Sequence, residues 1–384
     1  MSDPEGTWGV YVHVPWCRRR CPYCAFYVEV DRDVPWDAFI DRVLGEYAWR
    51  RRSFPGQPRS VFLGGGTPSR MPPHALARLV RGLNAYPDAE VTAEANPEDA
   101  TDAWLENAMA AGINRISLGL QTFNPRFARL LNRMSTVQQA HQTALRIAAA
   151  GLRSWSVDVV FALPEQRVED LVVDVEAILQ VGPPHVSLYG LTFEPGTPFE
   201  RALQRGKLAP VDDEVWRAMY LRLVRELEGA GLRRYEVSNF ARPGHESVHN
   251  LLYWTDRPYL GLGPSAHGYA PDGTRWGNVR DANRYLEQED PTATSEVPTP
   301  EQQALDLLVS VMRGRLGLDL DHLARHTGHS LPDAVVDDLV TRSLLVREGR
   351  RIALSEAGFP VADAVIRHLA GRLVRTVAEA PRAD

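Results

Sequence analysis

From residue 8 to about residue 195, short runs of β-branched and aromatic residues alternate with longer stretches whose apolar residues recur every three or four positions. The runs predict strands over 8–14, 59–64, 90–95, 113–119, 154–160 and 184–191. Between them the helical spacing predicts helices at about 36–52, 73–84, 100–111, 125–150 and 167–181. The runs Ile113–Gly119 and Ser156–Phe161 are rich in apolar and β-branched residues, as strands covered on both faces require. Six β/α units in order predict an α/β fold: a parallel sheet with right-handed crossovers, curved into an open, partial (β/α)6 barrel. Functional side chains in such sheets collect at the C-terminal ends of the strands.

The texture then changes twice. Residues 196–300 hold a helix at about 211–229 and then a segment rich in Gly, Pro and aromatic residues, read as an extension of the barrel. Beyond 300 the spacing predicts helices at 301–316, 319–327 and 332–343, followed by a hairpin turning at Glu348-Gly349. Three helices and a hairpin predict a smaller, mostly helical, winged-helix-like domain over 301–384, set apart from the barrel of 1–195. That domain carries 11 Arg against 12 Asp and Glu, so a basic nucleic-acid footprint is absent and a structural or interaction role is expected.

Composition narrows the class. The 384 residues are 44% hydrophobic and 24% charged, with a net charge of −6, which offers no general field for nucleic acid or anionic lipid. No run approaches the ~18 apolar residues of a membrane span. The opening Met-Ser-Asp-Pro-Glu-Gly lacks the basic and apolar regions of a signal peptide, so a cytoplasmic location is expected.

All 3 cysteines stand in one stretch after the first strand: Cys17, Cys21 and Cys24, spaced C-x3-C-x2-C. Three unpaired cysteines do not make a secreted disulfide framework. A Cys3His zinc site is one alternative, but its histidine, His13, lies in the strand, awkwardly placed for a loop-borne metal. Three thiolates on a [4Fe–4S] cube leave one iron without a protein ligand, free to bind something exchangeable. With an aromatic, Tyr23, just before the third cysteine, this stretch resembles the radical S-adenosylmethionine (SAM) superfamily, in which SAM chelates that iron.

Further motifs follow at successive strand ends. Gly64-Gly65-Gly66-Thr67-Pro68 gives a turn where backbone can approach a ligand closely. Glu94, Gln121, Arg133 and Asp158 are polar residues at or near later strand ends. Glu94 and Asp158 interrupt apolar strands, where a lone carboxylate is costly to bury. Either they form internal ion pairs, with Arg133 or Arg115 for example, or they bind the hydroxyls, amine and carboxylate of a ligand.

The combination is closer still to one group. Tyr11-x-His13-x-Pro15-x-Cys17, the Gly64–Pro68 turn, Glu94-Ala-Asn-Pro-Glu98, Leu118-Gly-Leu-Gln121-Thr-Phe123, Asp158-x-x-x-Ala-Leu-Pro164, Leu188-Tyr-Gly-Leu-Thr-x-Glu194-Pro-Gly-Thr197 and Tyr259-Leu-Gly-Leu-Gly-Pro-Ser-Ala-His267 resemble the oxygen-independent coproporphyrinogen III oxidase group over most of the chain. The resemblance implies that Tyr11, Gly64, Gly65, Gly66, Thr67, Glu94, Gln121, Arg133 and Asp158 contact SAM. Within the group the oxidases carry a further cysteine where this chain has Phe26, and a longer N-terminal extension.

His249-Asn250-Leu251-Leu252-Tyr253-Trp254 instead resembles the H-N-x-x-Y-W pattern of HemW-type heme chaperones. Imidazole is a standard axial ligand of heme iron, and aromatic rings can stack on the macrocycle. The residues alone fit equally a histidine hydrogen-bonded within a packing cluster; His245 and His267 are further candidates. The resemblance implies heme binding through His249, Tyr253 and Trp254, with transfer to an acceptor hemoprotein, a membrane-bound respiratory subunit among the candidates. It also implies an electron donor for the cluster and a chain able to form a homodimer. A genuine coproporphyrinogen III oxidase is the second reading; an iron–sulfur winged-helix regulator is the third and least favoured.

Overall fold

The computed structural model describes residues 7–31 and 33–376. Six strands run parallel in chain order: β1 (Gly9–Val14), β2 (Ser60–Gly65), β3 (Glu90–Ala95), β4 (Arg115–Gln121), β5 (Ser154–Phe161) and β6 (His185–Gly190). Between them lie α1 (Trp36–Arg50), α2 (Pro73–Gly82), α3 (Asp102–Ala111), α4 (Pro125–Leu130), α5 (Val137–Ala149) and α6 (Leu171–Val181). Val10, Val12, Leu63, Ala93, Ile116, Leu118 and Val157 are buried, and these strands form the centre of the core. The expected parallel β/α sheet is therefore the frame of the molecule.

The helix expected over 125–150 is two helices, α4 and α5. Leu131 caps the first, Asn132 takes a left-handed φ of 55°, and Thr136 opens the second with a capping box closed by Gln139. The apolar period continues across the gap, which is why periodicity joined the two. The break has a consequence: it lifts Arg133 off any helix face and turns it toward the strand ends.

Residues after 196 are more regular than their composition suggests. They give α7 (Pro198–Gln204), α8 (Asp213–Gly229), β7 (Arg233–Arg234), β8 (Asn239–Ala241), α9 (Val248–Trp254), β9 (Tyr259–Leu262), β10 (His267–Tyr269), β11 (Arg275–Asn278), α10 (Ala282–Glu287) and β12 (Thr292–Glu296). The new strands extend the sheet at both borders, giving the order β12-β11-β10-β9-β1-β2-β3-β4-β5-β6-β8-β7. β9 pairs parallel with β1, whereas β8 pairs antiparallel with β6, so the sheet ends in antiparallel ribbons instead of closing. Strands of two to five residues carry too few positions for an alternation to be read from sequence.

The chain divides into two compact units. Residues up to Arg234, with Ser238–His249 and Pro258–Glu296, form the first; Tyr235–Val237, Asn250–Arg257 and the chain from Val297 form the second. In the second unit, α11 (Pro300–Val311), β13 (Leu318–Asp319), α12 (Leu320–Thr327), β14 (His329–Ser330), α13 (Asp333–Thr341), β15 (Leu345–Glu348), β16 (Arg351–Leu354), α14 (Ala362–Ala370) and β17 (Val374–Arg375) follow one another. A three-stranded antiparallel sheet, β13-β16-β15, joins three helices around Leu308, Leu323, Val336 and Ile352, the layout of a winged helix. No helix among the described residues is long and apolar enough to cross a membrane.

Glu46 ties α1 to the added strands. Fully buried, it accepts from Arg50 Nε at 2.8 Å, Gly263 N at 3.2 Å, Asn278 Nδ2 at 2.8 Å and Tyr285 Oη at 2.7 Å. Glu46→Ala would strip Gly263 N and Tyr285 Oη of their acceptor and the half-buried Arg50 of its carboxylate, though Arg50 and Asn278 keep other partners, so urea denaturation should show a loss of roughly 2–4 kcal/mol. Glu46→Gln, which keeps one acceptor oxygen, should lose less. A loss below about 1 kcal/mol for the alanine variant would mean that this carboxylate does not hold the border.

Candidate functional site

The cysteine loop leaves β1 and is clamped at its base. Glu29 N donates to Pro15 O and Cys17 N donates to Glu29 O, both at 2.8 Å, which isolates residues 17–28 as an excursion. Trp16, buried against Trp36 and Phe39, anchors the exit. Arg18 reaches the buried carboxylate of Asp99 at 2.7 Å, and Arg19 donates to Asn132 Oδ1 at 2.9 Å. All three cysteines are free thiols and all three line one cavity of about 660 Å³ at the C-terminal ends of the strands. Burial pushes the Cys17 thiol up to about 11 and raises that of Cys24. Binding a metal as thiolate therefore depends on the positive charge of the metal itself.

The rest of the cavity comes from later strand ends. Gly65, Gly66, Thr67, Glu94, Gln121, Arg133 and Asp158 all line it, so the sequence-based set converges. The glycines are required by close approach. Gly65 has a φ of 102° and a Cβ there would lie 2.5 Å from the His13 ring; at Gly66 it would lie 2.6 Å from the Pro15 carbonyl carbon. Gln121 ends β4 with a φ of 76°, where the pairing with β5 shifts register, and this bulge puts its side chain in the cavity wall.

The expected ion pairs do not form. Glu94 accepts from Gly65 N at 3.0 Å. Asp158 accepts from Ser117 Oγ at 2.9 Å and Ser156 Oγ at 3.4 Å. Arg115 is spent elsewhere, on Glu90 at 3.5 Å, and Arg133 on Cys21, Asn96 and Gly119. Among the described residues neither cavity carboxylate forms a salt bridge, although the Arg115 charge still acts on Asp158 and favours its ionised form. Burial, and then the Asp158 charge, pushes Glu94 up to about 8; burial likewise raises Asp158 against the hydroxyls of Ser187, Ser117 and Ser156. Arg133 is complementary: its Nε is buried and without a hydrogen-bond partner.

Two residues of the expected set do not line the cavity. Tyr11 packs beneath it, its hydroxyl on His13 Nδ1 at 3.0 Å and its ring stacked on Phe62. A Cβ at Gly64 would lie 3.1 Å from both Tyr11 and Glu94, so that glycine makes room for the carboxylate instead of facing the cavity. His13 is excluded as a zinc ligand because its other nitrogen meets Tyr27 O at 2.8 Å, which commits both ring positions.

The expected heme residues lie elsewhere. His249 is 1% exposed, with Nδ1 on Ser60 Oγ at 2.9 Å, its backbone N on Glu90 at 3.2 Å and its ring stacked on Phe62. Ser60 and Glu90 begin their strands, so His249 seals the opposite end of the barrel from the cysteines. Burial pushes its imidazole down to about 3. This arrangement is the packed, hydrogen-bonded one that the residue types also allow. Tyr253 and Trp254 belong to the second unit and are half-buried. His245 bonds Ser154 Oγ at 3.1 Å, while the His267 side chain is exposed.

Sequence reasoning missed several supports. Asp174, on α6, accepts from Thr122 Oγ1 at 2.9 Å and from Phe123 N, fixing the turn that follows Gln121; burial raises it to about 6. Ser117 and Asn96 stood unremarked inside motifs already noted, and only their contacts give them roles. No signal in the chain singles out Asp174, which lies on an ordinary amphipathic helix.

Comparison with known proteins agrees with this picture. Residues 11–178 match the model of the Radical SAM superfamily. A protein described as heme chaperone HemW from Mycobacterium tuberculosis is 36% identical over 381 residues, covering 96% of each chain. Its counterpart of the same description from Escherichia coli is 35% identical over 75% of this chain and 79% of that one. Among solved structures, the coproporphyrinogen III oxidase HemN from Escherichia coli superposes with a TM-score of 0.80 at 20% identity, over 96% of this chain and 91% of that one. At that identity the last likeness speaks to fold.

The thiol of Cys17 gives a direct test of the cavity. In metal-free protein its alkylation by iodoacetamide, followed by mass spectrometry, should keep accelerating up to about pH 11. A plateau near pH 8–9, the range of an ordinary exposed thiol, would mean that the loop is open to water in the absence of metal.

Proposed function

The chain belongs to the radical SAM superfamily and, within it, to the HemW family of heme chaperones; on that footing we propose that it holds a [4Fe–4S] cluster, binds SAM beside it and carries heme to an acceptor hemoprotein. The observation that carries the SAM half is one cavity in which three free cysteines stand together with two carboxylates that form no salt bridge. SAM would supply what is missing: a sulfonium for Glu94 and Asp158 to face, ribose hydroxyls to hydrogen-bond, and a carboxylate oxygen for Arg133 Nε. Cys17, Cys21 and Cys24 would hold three irons; the backbone of Gly65–Thr67 and Gln121 would position the nucleoside and methionine ends. A reduced cluster supplies the electron that cleaves bound SAM, while the barrel orients and shields.

The heme half rests on the relatives' description and on the pattern from His249 to Trp254. Ligation by His249 requires the segment carrying it to leave Ser60 and Glu90. Burial already favours the neutral imidazole that iron needs. The acceptor, with a membrane-bound respiratory subunit among the candidates, and the electron donor are partners that this reading requires. The regulator reading finds no support: α13 carries Asp333, Asp337 and Asp338, and Arg347 of the wing is paired with two of them at 2.6 and 2.8 Å.

SAM affinity should rise with pH. With Glu94 held near 8 it is mostly protonated at neutral pH, and a cationic ligand favours its ionised form. Binding therefore releases a proton, and the dissociation constant should fall as pH rises from about 7 through about 8, then level off. Equilibrium dialysis reads this directly. Glu94→Gln should flatten the dependence, and an affinity that weakens over that range would remove Glu94 from the SAM site.

Anaerobic titration with hemin tests the other half. Saturable binding with a Soret band that His249→Ala shifts or weakens, and that His267→Ala leaves alone, is expected. Indifference to His249 with sensitivity to His267 would move the ligand to the exposed histidine. Absence of saturable binding would end the chaperone reading and make coproporphyrinogen turnover the next assay.

A further inference from the structure

Two of the three cysteine sulfurs are joined by a continuous chain of side-chain hydrogen bonds. Arg133 Nη1 donates to Cys21 Sγ at 3.6 Å, and Arg133 Nη2 donates to Asn96 Oδ1 at 2.7 Å. Asn96 Nδ2 donates to Thr67 Oγ1 at 3.2 Å, and Thr67 Oγ1 donates to Cys17 Sγ at 3.3 Å. The direction of every bond is fixed by the first. A guanidinium can only donate, so the oxygen of Asn96 must face it and its amide hydrogens must face Thr67. Thr67 then accepts from Asn96, and its single hydroxyl hydrogen is left for Cys17. Thr67 is 2% exposed, and a second contact of Arg133, with Gly119 O at 2.6 Å, braces the other end.

We propose that Arg133, Asn96 and Thr67 form a relay that sets the reduction potential of the cluster by aiming one donor at each of two cysteine sulfurs. This rests on the reading that the three cysteines hold a [4Fe–4S] cluster. One-electron reduction increases the negative charge on the cluster, and donors to its sulfurs stabilise that charge, which raises the potential. The Thr67 bond starts from a buried hydroxyl and is weakly screened, whereas Arg133 and Cys21 are half-buried in the cavity wall and their bond is screened more. The assignment changes the expected roles of two residues. The Thr67 hydroxyl serves the cluster and not SAM, and Arg133 divides its donors, two nitrogens on the relay and Nε left for a ligand. Asn96 is a positioning residue that acts only through its orientation.

The test is an anaerobic potential titration with dithionite and mediators on the reconstituted full chain, read by electron paramagnetic resonance without SAM present. Iron content and visible absorbance come first: failure to bind four irons in the parent protein would sink the cluster reading itself. With four irons bound, Thr67→Val should lower the reduced-to-oxidised ratio at a fixed potential by several-fold to about tenfold, the latter being ~59 mV for one electron. Thr67→Ser should match the parent. Asn96→Asp turns a donor into an acceptor, draws the Thr67 hydroxyl away from Cys17, and should give a similar drop.

In the Thr67→Val background, Asn96→Asp should add little. A full additional shift there would mean that the new charge acts alone, and would refute the relay. An unchanged potential in Thr67→Val with intact iron content would refute it too. Should Thr67→Val assemble no cluster, Asn96→Asp carries the measurement, since it keeps the shape of the side chain. Loss of iron in both, with Thr67→Ser intact, would make the relay a structural strut and overturn its role in setting the potential.

Discussion

Parallel pairing of β1 to β6 is the constraint on which the rest depends. Strands that run the same way must end at the same edge, and their crossovers return along the covered faces. The C-terminal ends therefore bring together segments more than a hundred residues apart: the cysteine loop, the glycine turn, Glu94, Gln121, Arg133 and Asp158. Short strands added from β7 to β12 keep the sheet open at its borders while supporting β1 and β6. Glu46 on α1 is the clearest case of a buried charge spent on architecture, with four donors around it.

Glu94 and Asp158 are the opposite case. Their strands place half-buried carboxylates in the cavity wall without a salt-bridge partner, and desolvation raises both. Such an arrangement costs stability in the empty protein. On the proposed reading a cationic ligand would offset that cost. The same economy governs Arg133, whose charge is committed on two nitrogens and open on the third.

His249 poses a different physical problem. It lies at the other end of the barrel, with Ser60, Phe62 and Glu90 around it. A ring held there is neutral and well packed, which suits a seal. Under the proposed heme ligation, His249 would have to give up the stacking on Phe62 and the bond to Ser60.

The sequence alone determined the type of fold and named most of the polar residues that line the cavity. Alternation of apolar runs with helical periods specifies a parallel sheet because burial on both faces demands continuous apolar strands. The cysteine spacing puts three thiol ligands on one loop, and its resemblance to the radical SAM superfamily implies a cluster there. Glycines that must approach His13 and Pro15 closely were legible as a turn for the same steric reason. Tertiary structure decided what depends on distance and orientation: that Asn132 breaks a helix and frees Arg133, that Tyr11 and Gly64 lie behind the cavity, and that His249 faces inward. It also decided that Arg115 pairs with Glu90, leaving Asp158 without a salt bridge, and that Asn96 points its amide at Thr67. None of these is a property of residue type or spacing. Each is set by which neighbours the fold brings within a hydrogen bond's reach, and a one-dimensional pattern carries no such distances.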